Sequence, residues 1–175
     1  MSTLRTNRIE NTSGTLLVSP GKHLLQTHYA QGDGTYVEFH YSALTRLSNY
    51  DTSFVLKGTN SVIDARFHIW AAARTNAQSH SIYYQINSTS GSWTKLSYSD
   101  TNFGDSTIWN QNGTDTWHSS TCSTWRSITN NPGDTINLTI FVISAGPGGN
   151  TQTGSLDAIG HPNTRHTWSI SEISP

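Results

Sequence analysis

Val62-Ile63-Asp64-Ala65-Arg66-Phe67-His68-Ile69-Trp70 is the stretch that decides the fold. Ile63, Ala65, Phe67 and Ile69 take every second position, and Asp64, Arg66 and His68 stand between them. Successive side chains of a strand point to opposite faces, so this run is a strand with one face in a core and the other in water.

The same rhythm extends outward from it. In Thr135 to Ser144, Ile136, Leu138, Ile140 and Val142 share one face while Phe141 and Ile143 load the other. That is the pattern of a strand covered on both sides, and a second subunit is one possible cover, which makes Phe141 and Ile143 candidate subunit contacts. Further strands are expected over Leu24 to Ala30, Tyr36 to Ser42, Ser53 to Leu56, Ser81 to Asn87, Trp93 to Tyr98, Trp117 to Arg126 and Arg165 to Ile173. Turn residues separate them, at Gly32-Asp33-Gly34, Ser90-Gly91, Asn112-Gly113, Asn130-Asn131-Pro132-Gly133 and Gly146-Pro147-Gly148-Gly149. Every window of ten or more residues is broken by Gly, Pro or clustered Ser and Thr, so no helix is expected. This many antiparallel strands in one chain of 175 residues predicts an all-β, antiparallel jelly-roll β-sandwich over 22–175. Residues 1–21 are expected to form a short N-terminal arm, polar apart from Leu4, Ile9 and the patch Leu16, Leu17, Val18, which are the candidate docking points.

Composition agrees. Hydrophobic residues make up 33% and charged residues 12%, against roughly 45 to 50% and 25% in ordinary soluble domains. Ser, Thr and Asn fill the gap, and their side chains compete for nearby backbone groups in helices, which suits strands and turns. Six Trp, seven Tyr and five Phe argue against disorder. Ten basic and eleven acidic residues leave a net charge of -1. No long-range field therefore steers the chain to nucleic acid or anionic lipid, and no apolar run is long enough to span a membrane as a helix. The single cysteine, Cys122, excludes an intramolecular disulfide. Four Asn-x-Ser/Thr sequons, at Asn11, Asn87, Asn112 and Asn137, are what chance supplies at this Asn, Ser and Thr content.

The sequence shows no arrangement that carries chemistry. A G-x-S-x-G elbow is absent, and Cys122 in its polar strand-like run reads as a quiet thiol. The Gly146 to Gly149 loop leads into no helix that would cradle phosphate. Outside the arm the glutamates are Glu38 and Glu172, and the aspartates sit mainly in turns, so no carboxylate pair stands out. Eight histidines fall at no metal-ligand spacing. A trimer axis would gather three copies of one histidine, His68 or His166, but strand histidines in solvent or at an interface are the favoured reading, and neither a metal nor a cofactor is expected.

Aromatic residues are the informative cluster: Trp93, Trp109, Trp117 and Trp125, with Tyr98 and Phe103, stand in a segment of Ser, Thr, Asn and Asp. As packing groups they fill the core or a subunit contact, and that reading is preferred. As a functional set, one or two of these Trp residues would be exposed platforms for sugar rings. An exposed Trp109 or Trp117 in a groove beside Asn and Asp would favour the second reading.

The opening run Met1-Ser-Thr-Leu-Arg-Thr-Asn-Arg-Ile-Glu-Asn-Thr-Ser-Gly-Thr15 resembles the start of structural proteins of tailed bacteriophages, especially marine and cyanobacterial ones. Ile136-Asn-Leu-Thr-Ile-Phe-Val142, a Gly- and Asn-rich loop and Trp168-Ser-Ile-Ser-Glu-Ile173 are similar to the last strands of jelly-roll heads on phage fibre and decoration proteins, which resemble the trimeric complement and tumour-necrosis-factor-like heads. The resemblance implies a non-enzymatic virion protein on the particle surface: a homotrimer whose arm attaches it to the major capsid protein or another virion protein. The absence of a heptad shaft favours a capsid decoration or cement protein over a tail-fibre or receptor-binding tip. A lectin-like module that binds a host surface glycan is the alternative of a different class.

Overall fold

A computed structural model describes residues 23–33, 37–39, 43–72, 77–97, 106–109, 117–144, 157–160 and 165–175. They form eleven strands: β1 (Leu24–Asp33), β2 (Val37–Phe39), β3 (Thr45–Val55), β4 (Val62–Ala72), β5 (Ala77–Ile86), β6 (Thr94–Lys95), β7 (Ser106–Trp109), β8 (His118–Ser127), β9 (Thr135–Ile143), β10 (Asp157–Ile159) and β11 (Arg165–Ile173). No helix occurs among the described residues. The arm positions Leu4, Ile9, Leu16, Leu17 and Val18 lie outside them.

All pairings are antiparallel, and they build two sheets. β4 is central to the first: β8 runs along one edge from Val62 to Ala71, and the other edge takes β11 from Val62 to His68 and then β10 at Ala71 and Ala72. β1 pairs with β11 and β2 with β10, so the short strands continue the lanes of the long ones. The first sheet thus has four lanes, β1/β2, β11/β10, β4 and β8. The second has the lanes β3, β9, β5 and a divided last lane, in which β7 pairs with residues 77–80 of β5 and β6 with residues 83–84. Successive lanes cross from one sheet to the other except at β5 to β6, which gives the two interlocked Greek keys of the expected jelly-roll sandwich.

The core lies between the sheets. On β4, Ile63, Ala65, Phe67, Ile69 and Ala71 are buried and Arg66 and Trp70 exposed; on β9, Ile136, Leu138, Ile140 and Val142 are fully buried. Trp168 of β11 packs on Phe67 with ring centroids 4.7 Å apart, and its indole N–H donates to the Tyr50 carbonyl at 2.9 Å. That bond satisfies the one polar group of a buried tryptophan and ties the two sheets together.

β3 is longer than the expected Ser53 to Leu56. Its register against β9 shifts between Leu47 and Thr52, which breaks the two-residue alternation that would have marked its first half. β7 and β10 were not expected, since four and three residues are too few to show a period.

Candidate interaction surfaces

Among the described residues, the groups that could do chemistry are either saturated by hydrogen bonds or sealed in the core. Glu172 points inward from β11 and is fully buried, yet its carboxylate is saturated. Lys57 N and Gly58 N donate to it at 3.0 and 2.8 Å, Ser61 Oγ at 2.7 Å and Gln26 Nε2 at 2.5 Å. Burial pushes this carboxyl up, but the four donors outweigh it and hold the group below its ordinary value. It clamps the turn after β3 and has no lone pair left for a substrate. Asn130 completes the same end of the sandwich, accepting from Ser61 N at 2.8 Å and donating to the Gly58 carbonyl at 2.7 Å. Asp134 accepts from Asn131 N and Asn87 Nδ2, both at 2.7 Å, which lowers its carboxyl in turn.

Cys122 is buried on β8 with its thiol 3.8 Å from the His80 carbonyl. His80, also buried, lies 3.3 Å from Ser120 Oγ through Nδ1; burial lowers its imidazole to about 4. A neutral imidazole behind a full core is a packing group. No set of three or more His, Cys, Asp or Glu capable of holding a metal occurs among the described residues. His166, weighed as a candidate at a subunit axis, is placed inside instead, edge-on to Tyr50 at 5.0 Å and near Phe67 at 5.8 Å. It falls on the inward parity of β11, alongside Trp168 and Ile170, and so reaches no outer surface. His68 does face outward and bonds Thr121 Oγ1 at 3.0 Å. An open cleft of about 330 Å³ beside β5, lined by Tyr84, Gln85, Ser90 and Thr94 among others, contains no carboxylate, imidazole or thiol.

What remains are two outer faces. On the second sheet, Phe141 and Ile143 are half-buried on the side away from the core, as the double-loaded pattern implied. Phe141 packs on Tyr83, ring centroids 4.3 Å apart, and Ser81 and Thr139 beside that pair are buried. Arg46 forms an ion pair with Asp51, and Asp51 accepts from Thr139 Oγ1 at 2.5 Å. The Arg46 guanidinium also lies 4.4 Å over the ring of Trp93.

The outer face of the first sheet is different. Its register aligns Tyr29, Ser169, Arg66 and Ser123 in one row and Thr27, Ser171, Asp64 and Trp125 in the next. Gln31, Thr167, His68 and Thr121 form the row on the other side. Two of the rows end in an aromatic ring, Tyr29 at 75% exposure on β1 and Trp125 at 55% on β8, and Trp70, 36% exposed, stands on β4 opposite Ser119.

The four tryptophans singled out in sequence are therefore not one site. Trp93 belongs to the second sheet's outer face, Trp125 to the first's, Trp117 is half-buried, and of Trp109 only the backbone is described. The sequence reading overlooked Tyr29 and Trp70. Trp70 shares the wet parity of Asp64, Arg66 and His68, and a large ring on that parity is the signal that would have found it.

No protein-family model matches the chain, and no curated protein matches it in sequence. Twelve chains of solved structures match in shape, among them the following three. "Structure of Eiger TNF from S. frugiperda" has 10% identity, covers 83% of this chain and 92% of that one, and gives a TM-score of 0.41. The T13 viral particle of infectious bursal disease virus has 12% identity over 94% of this chain and 41% of that one, also at a TM-score of 0.41. The VP2 subviral particle of the same virus has 13% identity over 86% and 39%, at 0.36. Scores this low transfer nothing to the chain, whose fold is read from its own strand pairing.

Proposed function

We propose that the chain is a virion structural protein of a tailed phage. In this reading it is a capsid-surface decoration or cement protein that assembles as a homotrimer through its β-sandwich and docks through its N-terminal arm onto the major capsid protein or another virion protein. The observation that carries the reading is the outer face of the second sheet, where Phe141, packed on Tyr83, and Ile143, opposite Ser79, stand half-buried on the side away from the core. A face loaded in this way gains stability when an identical neighbour seals it. The resemblance of the two terminal runs to phage proteins gives the setting, and jelly-roll sandwiches serve widely as capsid domains, a likeness at the level of fold alone.

Light scattering on the purified chain tests the assembly. The expected mass is that of a trimer, both for the whole chain and for 22–175, and the double variant Phe141→Ser, Ile143→Ser falls to a monomer. A stable monomer of the unaltered chain overturns the reading. An antibody raised against the chain is expected to label the surface of purified virions, and unlabelled particles would overturn the virion assignment.

A further inference from the structure

We propose that the outer face of the β1-β11-β4-β8 sheet is a binding platform for a neutral polysaccharide. The proposal is independent of the virion reading and concerns the opposite side of the molecule from Phe141.

The face is open to water and carries little net charge at its centre. Its two central charges, Arg66 and Asp64, lie 3.9 Å apart and cancel. An anionic polymer such as nucleic acid or a sulfated glycan requires a cluster of unpaired Lys and Arg, which this face does not present among the described residues. A second protein copy is a poor complement as well, because the centres of protein interfaces are depleted in Ser and in charged side chains. Hydroxyls are what this face offers, along β11 and β8, and each can donate and accept. A sugar presents the matching chemistry: hydroxyls at its rim and a C–H face that rests on an aromatic ring.

The rings are where such a ligand needs them. Tyr29 and Trp125 stand at opposite ends of adjacent rows, three lanes apart. Lane and residue spacings put them roughly 15 Å from each other. One monosaccharide cannot span that distance, so the ligand is an extended chain of sugars that rests on both rings and crosses the hydroxyls between them. Both side chains have only two rotatable angles, so holding them costs little entropy.

Affinity electrophoresis in native gels containing dextran, hydroxyethyl cellulose or galactomannan tests this. The chain is expected to be retarded by at least one of them, and the double variant Tyr29→Ala, Trp125→Ala to bind roughly tenfold more weakly, the loss of about 1.4 kcal/mol of stacking. Trp93→Ala, on the other sheet, and Tyr29→Phe, which keeps the ring, should both keep the retardation. No retardation by any of the three, retardation by heparin alone, or retardation unchanged in the double variant overturns the proposal. A change of the solution mass in the double variant would also overturn it, since the face would then be a subunit contact. Unchanged circular dichroism of the variants separates loss of binding from loss of fold.

Discussion

Glu172 holds the turn after β3 through charge-assisted hydrogen bonds that a neutral side chain cannot reproduce. Gln at this position offers one carbonyl oxygen where two carboxylate oxygens now accept, and it points an NH2 group at the Lys57 and Gly58 amides. Glu172→Gln is expected to cost about 2 to 3 kcal/mol, read as a lower urea midpoint at unchanged slope. The pH dependence has a defined sign. The folded carboxyl titrates below its ordinary value of 4.5, so its contribution is complete above that pH and is lost as pH falls through the folded value. The acid limb of the stability curve should flatten below about 4.5 in the variant. Gly58 belongs to the same clamp: a Cβ there would stand 2.5 Å from Leu25 Cδ1 and 2.7 Å from Ser61 Oγ, so backbone and carboxylate close on each other only because no side chain intervenes.

At the scale of the element, β9 has the burial its alternation implied. Leu138 is fully buried between the sheets, and Leu138→Ala should cost about 2 to 5 kcal/mol in chemical denaturation. β4 was equally legible: β4 runs in unbroken register against β8 and β11, and β9 against β5, while the irregularity between β9 and β3 lies in β3, so the period of two survives over nine or more residues in both strands. Where a device interrupts the period, the signal goes. The shifted register in β3 hid Thr45 to Asp51, including Tyr50, a fully buried side chain of the core. The two proposed faces were legible in part. The parity of Phe141 and Ile143 gave their outward placement, whereas the role proposed for Tyr29 depends on β1 lying three lanes from Trp125, a long-range pairing that no local window contains.

For the molecule as a whole, stability is tied to proton uptake at one core position. His80 keeps its neutral form down to about 4, whereas the unfolded chain takes up that proton near 6.5. Stability is therefore complete above pH 6.5 and falls between 6.5 and about 4, with a slope of up to about 1.4 kcal/mol per pH unit. Denaturation midpoints measured across that window should show the slope, and His80→Gln should remove it. The molecule also has a rim where the two sheets come together: β1 and β3 are each paired on one side only among the described residues, and His28 stacked on Phe54 at 5.1 Å bridges them. Two unpaired edges of ten and eleven residues would ordinarily invite other extended chains to add on. Both, however, carry a break in register, at Leu24/Gln26 and at Leu47/Thr52. The irregularity in β3 falls mid-strand and interrupts its row of amides and carbonyls, whereas that in β1 falls at its first residues and leaves Gln26 to Asp33 in continuous register, so of the two margins β3 is the better guarded against strand addition.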